Sequence, residues 1–209
     1  MTAPVAGVRL VLASASPARL ATLRQAGLEP EVVVSGVDES GVSADTVTEL
    51  VARLARLKAE AVAAGLQATA GTTVVIGCDS LLELDGDPYG KPGTAEQAVQ
   101  RWQRMRGRSG VLRTGHHLVV SGEGGDRTAA AVAATTVHFA ELADAEIEAY
   151  VATGEPLQVA GAFTVDGLGG PFVTRIEGDH HNVVGISLPL LRDLLAGLGV
   201  AWTRLWRPC

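Results

Sequence analysis

Asp79 stands where the apolar run VVI and the small pair Gly77 and Cys78 give out, and Lys91 follows shortly after, between Gly90 and Pro92. Ligands in open sheets usually bind at the carboxyl ends of strands, so an acid directly after such a run is well placed for chemistry. The stretch between them, LELDGDPYG, reads as a hairpin because Asp85 and Gly86 suit a tight turn, and its length returns Lys91 toward Asp79. Two more cations break local rules. Arg19 falls at the third position of a helix that starts after Ser16, where the helix dipole already supplies positive charge; this costs about 0.3–1 kcal/mol. An anion at that end, met by the hydroxyls of Ser14 and Ser16 and by free N–H groups, turns the penalty into attraction. Lys58 shares a helix face with Val51, Leu54, Ala55 and Val62, so it either snorkels to water or meets a negative partner. Asp38, in the polar loop SGVDES, is a further acid. Taken singly, each has a plain reading as a solvated side chain or surface ion pair. Together, an acid, two lysines and an arginine around one cleft describe a polyphosphate site with a metal or a carboxylate-activated water.

Other motifs fail on spacing or context. GDPYGKP places three residues between its glycines and a proline after the lysine, where a phosphate-binding P-loop needs four and a Ser or Thr. GLGGP lacks the strand-turn-helix setting of a dinucleotide fingerprint. The neighbouring pairs His116 with His117 and His180 with His181, read as strand residues, point to opposite faces and so do not chelate one zinc. QRWQRMRGR reads as a solvated helix face followed by one phosphate-reaching residue, Arg108.

The elements that must position these groups follow from periodicity and capping. Val8–Ala13 reads as a buried strand, and Ser16 caps a helix with Pro17 at its first position, running to about Ala26 and stopping at Gly27. Glu31–Ser35 is a second strand. Thr46 and Glu49 form a capping box for a helix to about Ala64, and Val74–Cys78 is the third strand. Thr94 caps a helix with the stripe Ala98, Val99, Trp102 and Met105. VLRTGHHLVV and the run ending in TTVHFA form a long hairpin around SGEGGD. Asp144 caps a short helix, a glycine-rich extended region follows, Ser187–Ala196 is a last helix, and VAWTRLW is a closing strand. The expectation is one α/β domain spanning 1–209, with a mixed, twisted sheet flanked by helices and a cleft between two lobes.

At 209 residues, 47% of them hydrophobic, the chain can bury a core. A net charge of -6 argues against a general nucleic-acid surface, which needs many cations. No window approaches the roughly 18 apolar residues of a membrane span, and MTAPVAGVRLVLAS lacks the signature of a signal peptide, so the expected setting is cytoplasmic. Cys78 and Cys209 make no disulfide framework.

LASASPARLATLRQAG, VVIGCDSLLELDGDPYGKP, GRSGVLRTGHHLV, EAYVATGEPLQVAGAF and IEGDHHNVVGISLPLL resemble, in order, successive blocks of the Maf family of septum-formation-associated nucleoside triphosphate pyrophosphatases. The blocks run from about Leu12 to Leu191. The resemblance implies a fold related to inosine triphosphate pyrophosphatases, commonly a homodimer, and hydrolysis of a nucleoside triphosphate to monophosphate and pyrophosphate with a divalent metal, Mg2+ or Mn2+. Matched residue by residue, it implies that Ser14, Ser16 and Arg19 grip phosphate, that Lys58 and Lys91 are the helix and GKP lysines, and that Asp79 is the catalytic aspartate. The family's loop glutamate is matched to Asp38, giving Asp38 and Asp79 as metal ligands. Where the branch acting on dTTP and UTP carries arginine, threonine and glutamine, this chain has Ala18, Ser80 and Asp166. That departure implies a base preference other than dTTP or UTP. Asp166 can accept from a guanine N1–H and amine, which an amide matches only in part. The other class considered is a nucleotide-binding regulator of cell division or septum formation with little turnover.

Overall fold

In the computed structural model, the structure describes residues 8–67, 71–122 and 124–206. Cys209 and the first seven residues, on which the leader reading partly rests, lie outside them. The described residues form one seven-stranded mixed sheet ordered β2-β1-β3-β5-β6-β7, with β4 paired to β3. Its strands are β1 (Arg9–Ala13), β2 (Glu31–Val32), β3 (Thr73–Leu84), β4 (Asp87–Tyr89), β5 (Ser109–Ser121), β6 (Arg127–Phe139) and β7 (Val173–Glu177). β1 pairs in parallel with β2 and β3, and the remaining pairs are antiparallel.

Helices α1 (Pro17–Gln25) and α6 (Leu188–Gly197) cover one face, and α2 (Val47–Gly65) covers the other. The pleat explains the division: Val74, Ile76 and Cys78 pack toward α1 and α6, whereas Val75 joins Val11, Ala59 and Val62 under α2. Further along the same long strands, Leu82, Leu84, Leu112 and Val137 build a second core with α3 (Ala95–Met105) and α4 (Asp144–Ala152). Trp102 anchors it, edge-on to Phe139, Tyr150 and Phe172 at 5.6–5.9 Å. β3 therefore leaves one core at Cys78 and enters the next at Leu82, and the residues between them line a cleft.

The capping signals act as read: Ser16, Thr46, Thr94 and Ser187 each accept a backbone N–H at the start of their helix. Asp85 (φ 57°) and Gly86 (φ 87°) form the left-handed tight turn between β3 and β4. Several boundaries differ. β3 does not stop at Cys78, because after the parallel ladder with β1 ends at Gly77 antiparallel pairing with β5 carries it on to Glu83, and pairing with β4 to Leu84. β2 keeps only two residues. Ala143, not Asp144, is the N-cap of α4, and Glu146 Oε2 reaches back to the Ala143 N–H at 2.8 Å. The region after Gly154 is not extended: it forms 3-10 turns at Glu155–Gln158, Ala160–Ala162 and Gly170–Phe172, then β7 and the short helix α5 (His180–Val184). VAWTRLW is not a strand. It holds a 3-10 turn at Trp202–Arg204; Trp202 and Leu205 pack against the α1 and α6 core, and Trp206, half exposed, donates from Nε1 to Ala26 O at 3.1 Å.

Candidate active site

The pleat of β3 sends Asp79 and Ser80 to opposite faces, each toward a helix that carries a cation. Asp79 faces α2 and accepts from Lys58 Nζ at 2.5 Å. Ser80 faces α1, where its Oγ accepts from Arg19 Nη2 at 2.9 Å and shares a hydrogen bond with Thr114 Oγ1 at 2.9 Å. α2 comes this close because glycines stand beneath it. A Cβ on Gly77 would lie 2.3 Å from Ala55 O, and one on Gly115, paired with Asp79 across the ladder, 2.2 Å from Val51 O. The helix backbone rests on the sheet itself.

Lys58 does not snorkel. Its side chain is 13% exposed, and a second carboxylate, Glu39 Oε1, lies 2.9 Å from its Nζ. Burial raises the Asp79 pKa against the pull of Lys58 and Arg19. Arg19 is buried, and its cation is compensated by oxygens: Nε donates to Gly185 O at 2.7 Å and Nη1 to Cys78 O at 2.9 Å and Ser14 Oγ at 3.1 Å. With the bond to Ser80, four hydrogen bonds stand against five N–H donors. Lys91 is exposed at the cleft, just past the β3–β4 hairpin, and makes no ion pair among the described residues.

These groups line one cavity of about 770 Å3. Ser14, Ser16, Ala18, Arg19, Lys58, Asp79, Ser80, Lys91 and Asp166 all border it, while Leu112, Val159, Phe163, Val183 and Val184 give it an apolar side. The site thus combines a cationic half with a carboxylate at its floor and an apolar half able to take a flat ring.

Two sequence-derived residues are not brought in. Asp38 is not on the cavity wall; its Oδ1 accepts from Ser40 N at 3.0 Å, a local turn bond that lowers its pKa. The loop acid that lines the cavity is its neighbour Glu39. An aspartate in a loop readily closes a turn of this kind on the backbone N–H two residues on. Arg108 also lies off the cavity, held on the surface by Asp85 with Nη2 to Oδ1 at 2.5 Å. No local pattern marks Gly185, whose carbonyl secures Arg19, or Thr114, which backs Ser80.

The histidines divide. On β5, His116 and His117 do face opposite ways: His116 Nε2 accepts from Ser187 N at 2.9 Å, while His117 Nε2 lies 3.9 Å from Glu60 of α2. His180 and His181 open α5 instead of lying on a strand, so the opposite-face argument does not apply to them. With Asp179 they bring one ligand atom each within 4.8 Å of one another, and none of the three lines the cavity. Cys78 is fully buried, its thiol pushed up to about 11, and is no nucleophile at neutral pH.

The sequence matches the Maf-like protein family over residues 9–198. A relative from Salinispora tropica is 64% identical over 200 residues, covering 95% of this chain and 88% of its own. One from Streptomyces coelicolor is 58% identical over 96% of this chain and 95% of its own, and one from Cutibacterium acnes 55% identical over 94% and 93%. Each of the three is named nucleoside triphosphate pyrophosphatase. With 190 consecutive residues matched and the cleft bordered by the residues that carry the sequence blocks, the chain belongs to the Maf-like family.

Proposed function

We propose that the protein is a nucleoside triphosphate pyrophosphatase that hydrolyses its substrate to the monophosphate and pyrophosphate. The observation that carries this reading is the convergence of buried Asp79 with Lys58, Arg19 and Lys91 on one cavity that also has an apolar side. Asp79 takes a proton from a water whose oxygen bonds to the α-phosphorus. The bond from that phosphorus to the bridging oxygen breaks, and pyrophosphate leaves with the electron pair. Lys58 and Lys91, with the remaining Arg19 donor, neutralise the charge gathering on the phosphates.

The residues fit a divalent metal. Asp79 and Glu39 are hard oxygen donors, each within reach of Lys58 Nζ and so close to one another, and such donors suit Mg2+ or Mn2+. When bound, the ion would supply charge neutralisation on phosphate oxygens. Asp79 and Glu39 would hold it, in place of the Asp79 and Asp38 pair.

The base preference we propose is not of the dTTP and UTP type. Asp166 is exposed on the cavity wall, and its carboxylate suits the N1–H and exocyclic amine of guanine or a modified purine. The reading includes a homodimer in the cytoplasm; among the described residues no helix is long and apolar enough to cross a membrane.

Pyrophosphate release across a panel of canonical and modified nucleoside triphosphates tests activity and preference together. Asp79→Asn is expected to abolish turnover while retaining nucleotide binding. Near-normal turnover in that variant refutes the assignment of the base, and dTTP and UTP hydrolysed far faster than any guanine nucleotide refutes the preference.

A further inference from the structure

Behind the wall that carries Asp166 lies a polar cluster that the phosphoryl chemistry does not use. The Glu155 carboxylate accepts four hydrogen bonds. Tyr150 Oη at 2.9 Å, Thr164 Oγ1 at 2.5 Å and Gly169 N at 3.1 Å donate to Oε1, and Leu168 N donates to Oε2 at 3.0 Å. Tyr150 Oη also accepts from Thr164 N at 3.2 Å. These donors bracket Asp166 on both sides in the chain. Asp166, Gly167 and Leu168 are exposed, so the loop has little packing of its own to hold it.

The loop closes tightly on the cluster. A Cβ on Gly169 would lie 2.4 Å from Tyr150 Oη and 2.8 Å from Thr164 O, so only glycine lets the backbone approach this far. Burial works to raise the Glu155 pKa, but the hydrogen bonds outweigh it and the net shift is downward, so the carboxylate is an anion at neutral pH. Anionic acceptors make the stronger hydrogen bonds. Glu155 does not line the cavity, whereas Thr164, Val165 and Asp166 do.

We propose that Glu155 is a positioning residue for nucleobase recognition: by tying Thr164, Leu168 and Gly169 to one carboxylate it fixes where Asp166 is presented, and so sets nucleotide affinity and base discrimination. The proposal rests on the reading of Asp166 as the base-contacting group. Glu155→Gln replaces one acceptor oxygen with an amide that faces N–H and O–H donors. KM for the preferred nucleotide is expected to rise about tenfold with kcat changed less than about twofold. Discrimination between bases narrows, and competitive inhibition by inorganic pyrophosphate, which engages only the cationic half, stays the same. Tyr150→Phe keeps the ring against Trp102 and Phe172 and removes the hydroxyl, and it moves KM in the same direction by a smaller factor.

Melting temperatures show that each variant is folded, and Tyr150→Phe decides by the same criteria if Glu155→Gln does not fold. An unchanged KM, or a loss of kcat with pyrophosphate inhibition weakened in parallel, overturns the proposal. Asp166→Asn separates the two readings. Unchanged base ratios in Asp166→Asn together with a raised KM in Glu155→Gln refute the base contact alone, whereas an unchanged KM in Glu155→Gln overturns the positioning role whatever Asp166→Asn does.

Discussion

Replacing Gly77 by alanine tests whether the seating of α2 on the sheet sets the Lys58–Asp79 contact. The added Cβ would lie 2.3 Å from Ala55 O, 2.8 Å from Ala59 N and 2.8 Å from Ala59 Cβ. All three belong to α2 backbone or to an alanine without rotamers, so no side chain can swing clear. Ordinary contact requires the helix to lift by about 1 Å. Overpacking of this kind costs about 1–3 kcal/mol, or about 3–10 °C in melting temperature for a chain of this size. Because Lys58 rides on the same helix, the lift draws its Nζ away from Asp79 Oδ1, now at 2.5 Å. Misplacement of a reacting group by 1 Å can lower turnover about a hundredfold. The assay is pyrophosphate release alongside thermal melting, with Gly65→Ala as control, since a Cβ there meets nothing within 4 Å. A melting temperature within 1 °C of the parent refutes the close approach. A lowered melting temperature with undiminished turnover refutes the claim that helix seating positions the lysine.

Glu39→Gln is expected to lower turnover and raise the divalent-metal concentration needed for half-maximal rate, while Asp38→Asn and Arg108→Ala leave both within about twofold, because only Glu39 of these three lines the cavity; steady-state kinetics at varied Mg2+ checks this, and an Asp38→Asn defect as large as that of Glu39→Gln refutes it. His116 gives a pH dependence of stability. Burial depresses its folded pKa to about 4 from an ordinary 6.5, so above 6.5 it contributes nothing, and as pH falls below 6.5 the unfolded chain takes up the proton first. The destabilisation grows to roughly 3 kcal/mol by pH 4. Urea unfolding between pH 7 and pH 4 reads it as a fall that is smaller in His116→Gln, and equal slopes in parent and variant refute the assignment.

What could be read from the chain was what neighbours along it decide. Ser16, Thr46 and Thr94 cap their helices because a hydroxyl reaches an N–H three residues on, and Asp85–Gly86 turns the hairpin through its own backbone angles. Arg19, Lys58 and Asp79 stood out because each violated a local rule, and a violated rule needs a partner from elsewhere. β7, paired to β6 at the edge of the sheet and mostly exposed, had no alternation to betray it. The full length of β3 depended on β5, distant in the chain, which supplies hydrogen bonds where β1 ends. The turning of Glu39 rather than Asp38 toward Lys58, the capture of Arg19 by Gly185, and the three bonds from Thr164, Leu168 and Gly169 that tie the Asp166 loop to Glu155 belong to the tertiary structure alone. Short-range hydrogen bonds and residue spacing decide which elements form and which charges are out of place. Which oxygen meets which cation depends on how helices and loops distant in sequence are brought to the same strand, and that geometry is set only when the two cores pack.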